Sequence, residues 1–229
     1  QVPEAQELTE LMAQRADVKA LEVRQACSLL GCEELHFLGL DDAVLLVCDE
    51  AVKQVAALVR KVRPHVVLTH FPREGSTNTN PHAITGQIAL YGMQLAGSVD
   101  PGDTNPPHKV SQTFFFGTGG APLPRDVWGA EGGYYNDVFI DITDVVKDKL
   151  AALDALVSQG YGGAYARKRI ETSDGAFGGA VRCAYAEGFI KMSAECHYHL
   201  PVTDHALELG RMSDHEVIAR ATYRHNDAD

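Results

Sequence analysis

Residues 63–90, RPHVVLTHFPREGSTNTNPHAITGQIAL, decide how the rest of the chain is read. Val66-Val67-Leu68 is a short apolar run that predicts a buried strand, with Thr69 and His70 at its carboxyl end. A loop of Gly, Ser, Thr, Asn and Pro follows. His82 then opens a periodic run that predicts a helix over 82–97, stopped near Gly97. In open α/β sheets, ligands sit just beyond the carboxyl ends of strands. The two histidines that bracket this loop are therefore the first place to look for function.

Working outward, residues 4–30 predict one long helix. Its broken apolar stripe is Leu8, Leu11, Met12, Val18, Leu21, Cys27 and Leu30, and Gly31 suits the C′ stop. LHFL at 35–38 reads as a short strand, turned by Gly39 to Asp42. Val52, Val55, Ala56 and Val59 predict a helix over 50–62. Arg60, Lys61 and Arg63 complement the negative end of that helix, and Pro64 ends it. Strands are expected at 110–116, 137–142 and 181–190. Residues 117–136 read as a long surface loop of the kind that shapes a pocket. Thr143 is placed to cap a helix over 144–158, with Gly160 at its end. YGGAYARKRIETSDGAFGG (161–179) is a glycine-rich, basic stretch. The tail, 197–229, is polar, with one helix near 214–222. Strands alternating with helices predict βαβ units, hence a mostly parallel α/β sheet with helices on both faces. No internal repeat or domain linker is visible, so 1–229 reads as one domain.

Bulk composition narrows the class. The chain has 229 residues, 45% hydrophobic and 22% charged, with a formal net charge of -11. An acidic chain without a long basic run is a poor partner for nucleic acid or an anionic membrane. No stretch is apolar enough to span a bilayer. The five cysteines, Cys27, Cys32, Cys48, Cys183 and Cys196, are scattered. They fit reduced thiols in a cytoplasmic protein better than a disulfide framework. No G-x-G-x-x-G follows a strand, which leaves nucleotide binding without support. The tail beyond His197 leaves a homo-oligomer open.

Four segments together resemble the PIG-L/LmbE-like family of zinc-dependent N-deacetylases. The first is KALEVRQACSLLG leading into LHFLGLDD, in which Glu22, Ala26, Leu30-Gly31 and Asp42 match and Lys19 stands at an Arg position. The second is RPHVVLTHFP, and the third is NPHAITGQIAL. The fourth is FIDITDVVKDKLAAL followed by CAYAEGF. The resemblance implies a Rossmann-like three-layer sandwich. It also implies one metal, usually zinc, held by two histidines and an aspartate, and hydrolysis of an N-acyl group on an amino-sugar-like small molecule. A branch of the family, the 4-oxalomesaconate hydratases, instead adds water to an unsaturated carboxylic acid, and the C-terminal half resembles that branch as well. A non-catalytic fragment or paralogue serving as a binding module is the rival class.

Two departures stand out. The family's His-Pro-Asp-Asp motif, which supplies a His ligand, an Asp ligand and the general base, occurs nowhere in the chain. An expectation follows that a first βαβ unit of roughly fifty residues is missing at the amino end. No catalytic base is therefore assigned. Pro81 stands where the family has an Asp before its ligand His.

The resemblance singles out His82 as the metal ligand; by itself, a histidine at a helix start is commonly a surface residue. His70 is a candidate for substrate binding or for supporting a ligand, against the plainer reading of a half-buried histidine bonded to backbone. Asp42 resembles a substrate-binding carboxylate, though turn formation explains an Asp there equally well. Lys19 suits an anionic substrate group, although lysines on helices are usually solvated. Glu187, amid apolar neighbours in the last strand, either pairs with a cation or lines a pocket. Arg167, Lys168 and Arg169 read as a solvated patch before they read as a carboxylate clamp. Cys196-His197-Tyr198-His199 lacks a partner pair at ligand spacing and reads as surface.

Overall fold

A computed structural model describes residues 5–41, 45–73, 79–117 and 136–223, with side chains from residue 9 onward in the first helix. The chain forms two compact units. One comprises Gln1–His36, Asp141–Ala186 and Asp214–Asp229, and the other Phe37–Ile140 and Glu187–Ser213.

The second unit holds the stretch quoted above. Helix α2 (Asp49–Val62) ends at Arg63, which takes the left-handed conformation with φ 55° before Pro64. Strand β1 (Val66–His70) follows, then helix α3 (Pro81–Ala96). Ala51, Ile84 and Ile88 pack with Val52 and Val55, and Ala56, Val59 and Ala96 pack with Met93 and Val110. The 3.6-residue spacing of these positions on both helices is what makes the α2–α3 pair.

Arg60, expected to complement the negative end of its own helix, also serves the end of another. It is 1% exposed and donates to the carbonyls of Leu95, Ala96 and Ser98, at 2.8, 3.3 and 3.1 Å, and to Asp103 Oδ2 at 3.1 Å. These carbonyls lie at or just past the carboxyl end of α3, where helix geometry leaves acceptors without intrahelical donors. The guanidinium fork supplies them.

Strand β2 (Gln112–Phe116) pairs parallel with β1, Leu68 opposite Phe114 and His70 opposite Phe116. Strands β3 (Val138–Asp141) and β4 (Ala186–Lys191) complete the order β1-β2-β4-β3. β4 runs antiparallel to β2. The bonds Asp137 N to Phe189 O and Ile142 N to Tyr185 O run in opposite chain order, so β3 and β4 are antiparallel too. This corrects the expected mostly parallel sheet: the sheet is mixed, and β1–β2 is its parallel pair. β1 is also not buried on both faces. Thr69 is buried, whereas Val66 and Leu68 are 50% and 57% exposed, the alternation that a pleated strand imposes. Residues 35–38 are not a strand; Phe37 is exposed, and no described strand pairs with them.

In the first unit, helix α1 (Ala5–Leu29) forms as expected, but its apolar stripe does not make a core. Leu11, Met12, Val18 and Leu21 are exposed, and Ala26 is the position that packs, against Ala152, Ala155 and Leu156. Thr143 does not cap a helix with its side chain. It begins a 3-10 turn (Thr143–Val145), and its hydroxyl accepts from Tyr185 N at 3.3 Å. Helix α4 (Val146–Asp154) and a second 3-10 turn (Val157–Gln159) share the span expected for one helix. The glycine-rich stretch is helical, as α5 (Gly163–Thr172) and α6 (Asp174–Val181), and β4 accordingly starts later than expected. Ala166 and Ile170, four apart on α5, join Ile142, Val146, Leu150, Ala184 and Tyr185 in the core of this unit.

The tail carries two helices, α7 (Asp204–Leu209) and α8 (Asp214–Ala221). Among the described residues no helix is long and apolar enough to cross a membrane. The expected surface loop at 117–136 lies almost wholly outside the described residues.

Candidate functional site

β1 ends at His70, and α3 begins at Pro81. The start of α3 is strongly specified. Asn80 is the N-cap, its side chain accepting from Ala83 N at 2.8 Å and its carbonyl from Ile84 N at 3.0 Å. Pro81 occupies the first helical position, where its missing N–H costs nothing. This local role accounts for a proline beside His82.

α3 then lies directly against the end of β1. A Cβ built on Gly86 would stand 2.3 Å from the His70 carbonyl oxygen and 3.1 Å from Pro72 Cα, so only glycine fits. Gln87 Nε2 reinforces the approach by donating to the Pro72 carbonyl at 3.2 Å. The result is that His70 and His82 stack, with ring centroids 4.5 Å apart and planes within 3°. Phe116, the residue opposite His70 on β2, packs on His70 at 4.5 Å and 52°. His82 is exposed and His70 half-buried. His82 thus presents an exposed imidazole at the start of α3, stacked on His70, on which Phe116 packs in turn.

That geometry bears on metal binding. A metal lies in the plane of the imidazole that binds it, about 2.0–2.1 Å from the nitrogen for zinc. Two parallel rings stacked face to face do not share an in-plane point, so His70 and His82 do not chelate one ion together. His82 is the candidate ligand, and His70 backs it. Among the described residues no group of three or more His, Cys, Asp or Glu side chains is placed to hold a metal ion. The described residues therefore do not compose a metal site by themselves, and no chemical step is derived through one.

The other sequence candidates fall elsewhere. Asp42 lies outside the described residues. Lys19 is exposed on α1, in the first unit, and Glu187 is half-buried on β4, in the second. Arg167 is not a free carboxylate clamp, because it is ion-paired with Asp154. Cys196 to His199 is exposed chain without a strand, and His197 lies 3.5 Å from Glu195. Sequence reasoning missed Phe116 and Gly86. A run of three phenylalanines ending opposite a strand-end histidine, and a glycine four residues into a helix that starts with histidine, were the available signals.

Residues 3–91 match the profile of the family described as PIG-L: GlcNAc-PI de-N-acetylase. A diacetylchitobiose deacetylase of Thermococcus kodakarensis is 24% identical over 143 residues, which are 60% of this chain and 48% of that protein. The chain thus spans about half the length of this curated relative. Among solved structures, the 4-carboxy-2-hydroxymuconate hydratase of Pseudomonas putida matches with a TM-score of 0.65 at 20% identity, covering 82% of this chain and 77% of that one. The N,N'-diacetylchitobiose deacetylase of Pyrococcus horikoshii matches with a TM-score of 0.59 at 21% identity, covering 77% and 64%. A conserved protein of Thermus thermophilus gives a TM-score of 0.64 at 22% identity, covering 79% and 75%. The matched profile spans α2, β1 and the start of α3, the elements that build the histidine stack, and over those residues the chain is similar to the PIG-L family.

Proposed function

We propose that the protein is a zinc-dependent hydrolase that removes an N-acyl group from an amino-sugar-like small molecule. The observation that carries this reading is the exposed His82 at the capped start of α3, backed by His70, at the carboxyl end of β1. The PIG-L profile over the same residues and the deacetylase relative support it. A divalent metal, when bound, would supply Lewis-acid chemistry, and His82 is the described residue that would help to hold it. His82 holds its place because the Asn80 cap and the Gly86 contact set where the helix begins. His70 stacks on its ring and Phe116 packs on His70, which is positioning by packing rather than by charge.

The test is metal content and amine release together, on the full protein with diacetylchitobiose as substrate. His82→Ala is expected to lose both bound zinc and activity, with the fold kept because the side chain is exposed. Unchanged zinc content in that variant would remove His82 from the ligand set.

A second reading, hydration of an unsaturated carboxylic acid, rests on the resemblance of the C-terminal half, CAYAEGF included, to the hydratase branch. Loss of the absorbance of such an acid, without amine release from N-acetylated sugars, would move the assignment there.

A further inference from the structure

The carboxyl end of α1 places two thiols side by side. Gly31, with φ 72°, turns the chain back on the helix. Cys32 N then donates to the Cys27 carbonyl at 2.9 Å, and Gly31 N to the Ser28 carbonyl at 3.2 Å. These are the two bonds of a Schellman motif, which brings the side chains three residues before the cap and two residues after it together. Those positions usually hold an apolar pair; here they hold Cys27 and Cys32. Cys32 is exposed and Cys27 half-buried.

We propose that Cys27 and Cys32 form a dithiol–disulfide redox site, oxidised by a small-molecule disulfide of the glutathione type. The motif already sets the backbone approach, so closure needs side-chain rotation rather than movement of the helix. The exposed Cys32 thiolate attacks one sulfur of the oxidant, forming a mixed disulfide and releasing one small thiol. Cys27 gives its proton to solvent and attacks Cys32 Sγ. The Cys27–Cys32 bond forms, the mixed disulfide breaks, and a second small thiol leaves. Two electrons pass from the protein to the oxidant, so one oxidised disulfide yields two reduced thiols. The order of attack follows from position: burial first, and then the neighbouring Cys32, push the Cys27 thiol above its ordinary pKa. Cys27 therefore reacts second, once Cys32 Sγ carries the small thiol as its leaving group.

The reaction is chemically separate from the histidine site and does not depend on its assignment. The test is oxidation of the full protein in a glutathione redox buffer, quenching with acid, and thiol counting in denaturant with peptide mass mapping. Five titratable thiols before oxidation are expected to fall by two, with both hydrogens lost from the peptide that contains Cys27 and Cys32. Cys32→Ser is expected to abolish the paired loss, and Cys27→Ser to stop the reaction at a retained glutathione on Cys32. A constant count in the same buffer would overturn the proposal. So would a loss of two that persists in Cys32→Ser, or that maps to Cys48, Cys183 or Cys196 or to a crosslink between chains.

Discussion

Replacing Gly86 with alanine tests the packing that brings the two histidines together. The new methyl carbon would stand 2.3 Å from the His70 carbonyl oxygen, where ordinary contact begins at 3.4 Å, so α3 must retreat from β1 by about 1 Å. Overpacking of this kind costs about 1–3 kcal/mol. Alanine returns up to about 1 kcal/mol through its higher helix propensity. The balance is a net destabilisation of roughly 1–2 kcal/mol. Gly179, inside α6 with nothing within 4 Å of a built Cβ, is the matched control. There alanine meets no clash and is expected to stabilise by up to about 1 kcal/mol. Urea unfolding followed by circular dichroism reads both variants. The imidazole resonances of His70 and His82 should shift in Gly86→Ala and stay in place in Gly179→Ala. A Gly86→Ala protein as stable as the Gly179→Ala protein, with unshifted histidine resonances, would refute the close approach of α3 to β1.

Three further outcomes are expected. Arg60→Leu removes the donors to Asp103 Oδ2 and to the carbonyls at the end of α3, and should destabilise the protein by about 1.5–3 kcal/mol in thermal or urea unfolding; a loss below 1 kcal/mol, on the order of an exposed ion pair, would mean that the guanidinium is not the cap of α3. The Arg167 guanidinium beside Asp154, and then the Gly163 N–H at 2.7 Å, hold its carboxyl below the usual aspartate range. A depressed folded value stabilises above the unfolded pKa of about 4 and is lost as pH falls through the folded value. Asp154→Asn should accordingly flatten the acid limb of stability against pH, and an unchanged limb would exclude this pair as a contributor. Burial first, and then the Asp141 charge, push the Cys183 thiol up to about 11. At pH 8 in native buffer, Cys183 should resist a disulfide reagent while Cys48 and Cys196, both exposed, react; rapid native labelling of Cys183 would contradict its burial.

The elements legible from the residues were those whose ends carry their own signals. Asn80-Pro81 starts α3, Arg63-Pro64 ends α2, and Leu30-Gly31 ends α1. Each is a local matter of φ, capping and missing donors. The helices in 161–181 were hidden because glycine density signals loop. Ala166 and Ile170 are buried against Ile142, Val146, Leu150, Ala184 and Tyr185, and that tertiary burial supports the helix. LHFL failed in the opposite sense: it has a strand's composition but no paired neighbour among the described residues.

By itself, the sequence determined that a histidine ends β1 and another starts α3, and that the chain resembles a deacetylase family over those residues. Whether those histidines meet was decided by tertiary structure, because the meeting depends on Gly86 letting one helix touch one strand end. Strand direction was decided there as well. An apolar run carries no arrow, and β4 became antiparallel to β2 only through the path that brought it between β2 and β3. Local chemistry writes caps and turns into the sequence, whereas contacts between distant residues depend on the whole packing around them.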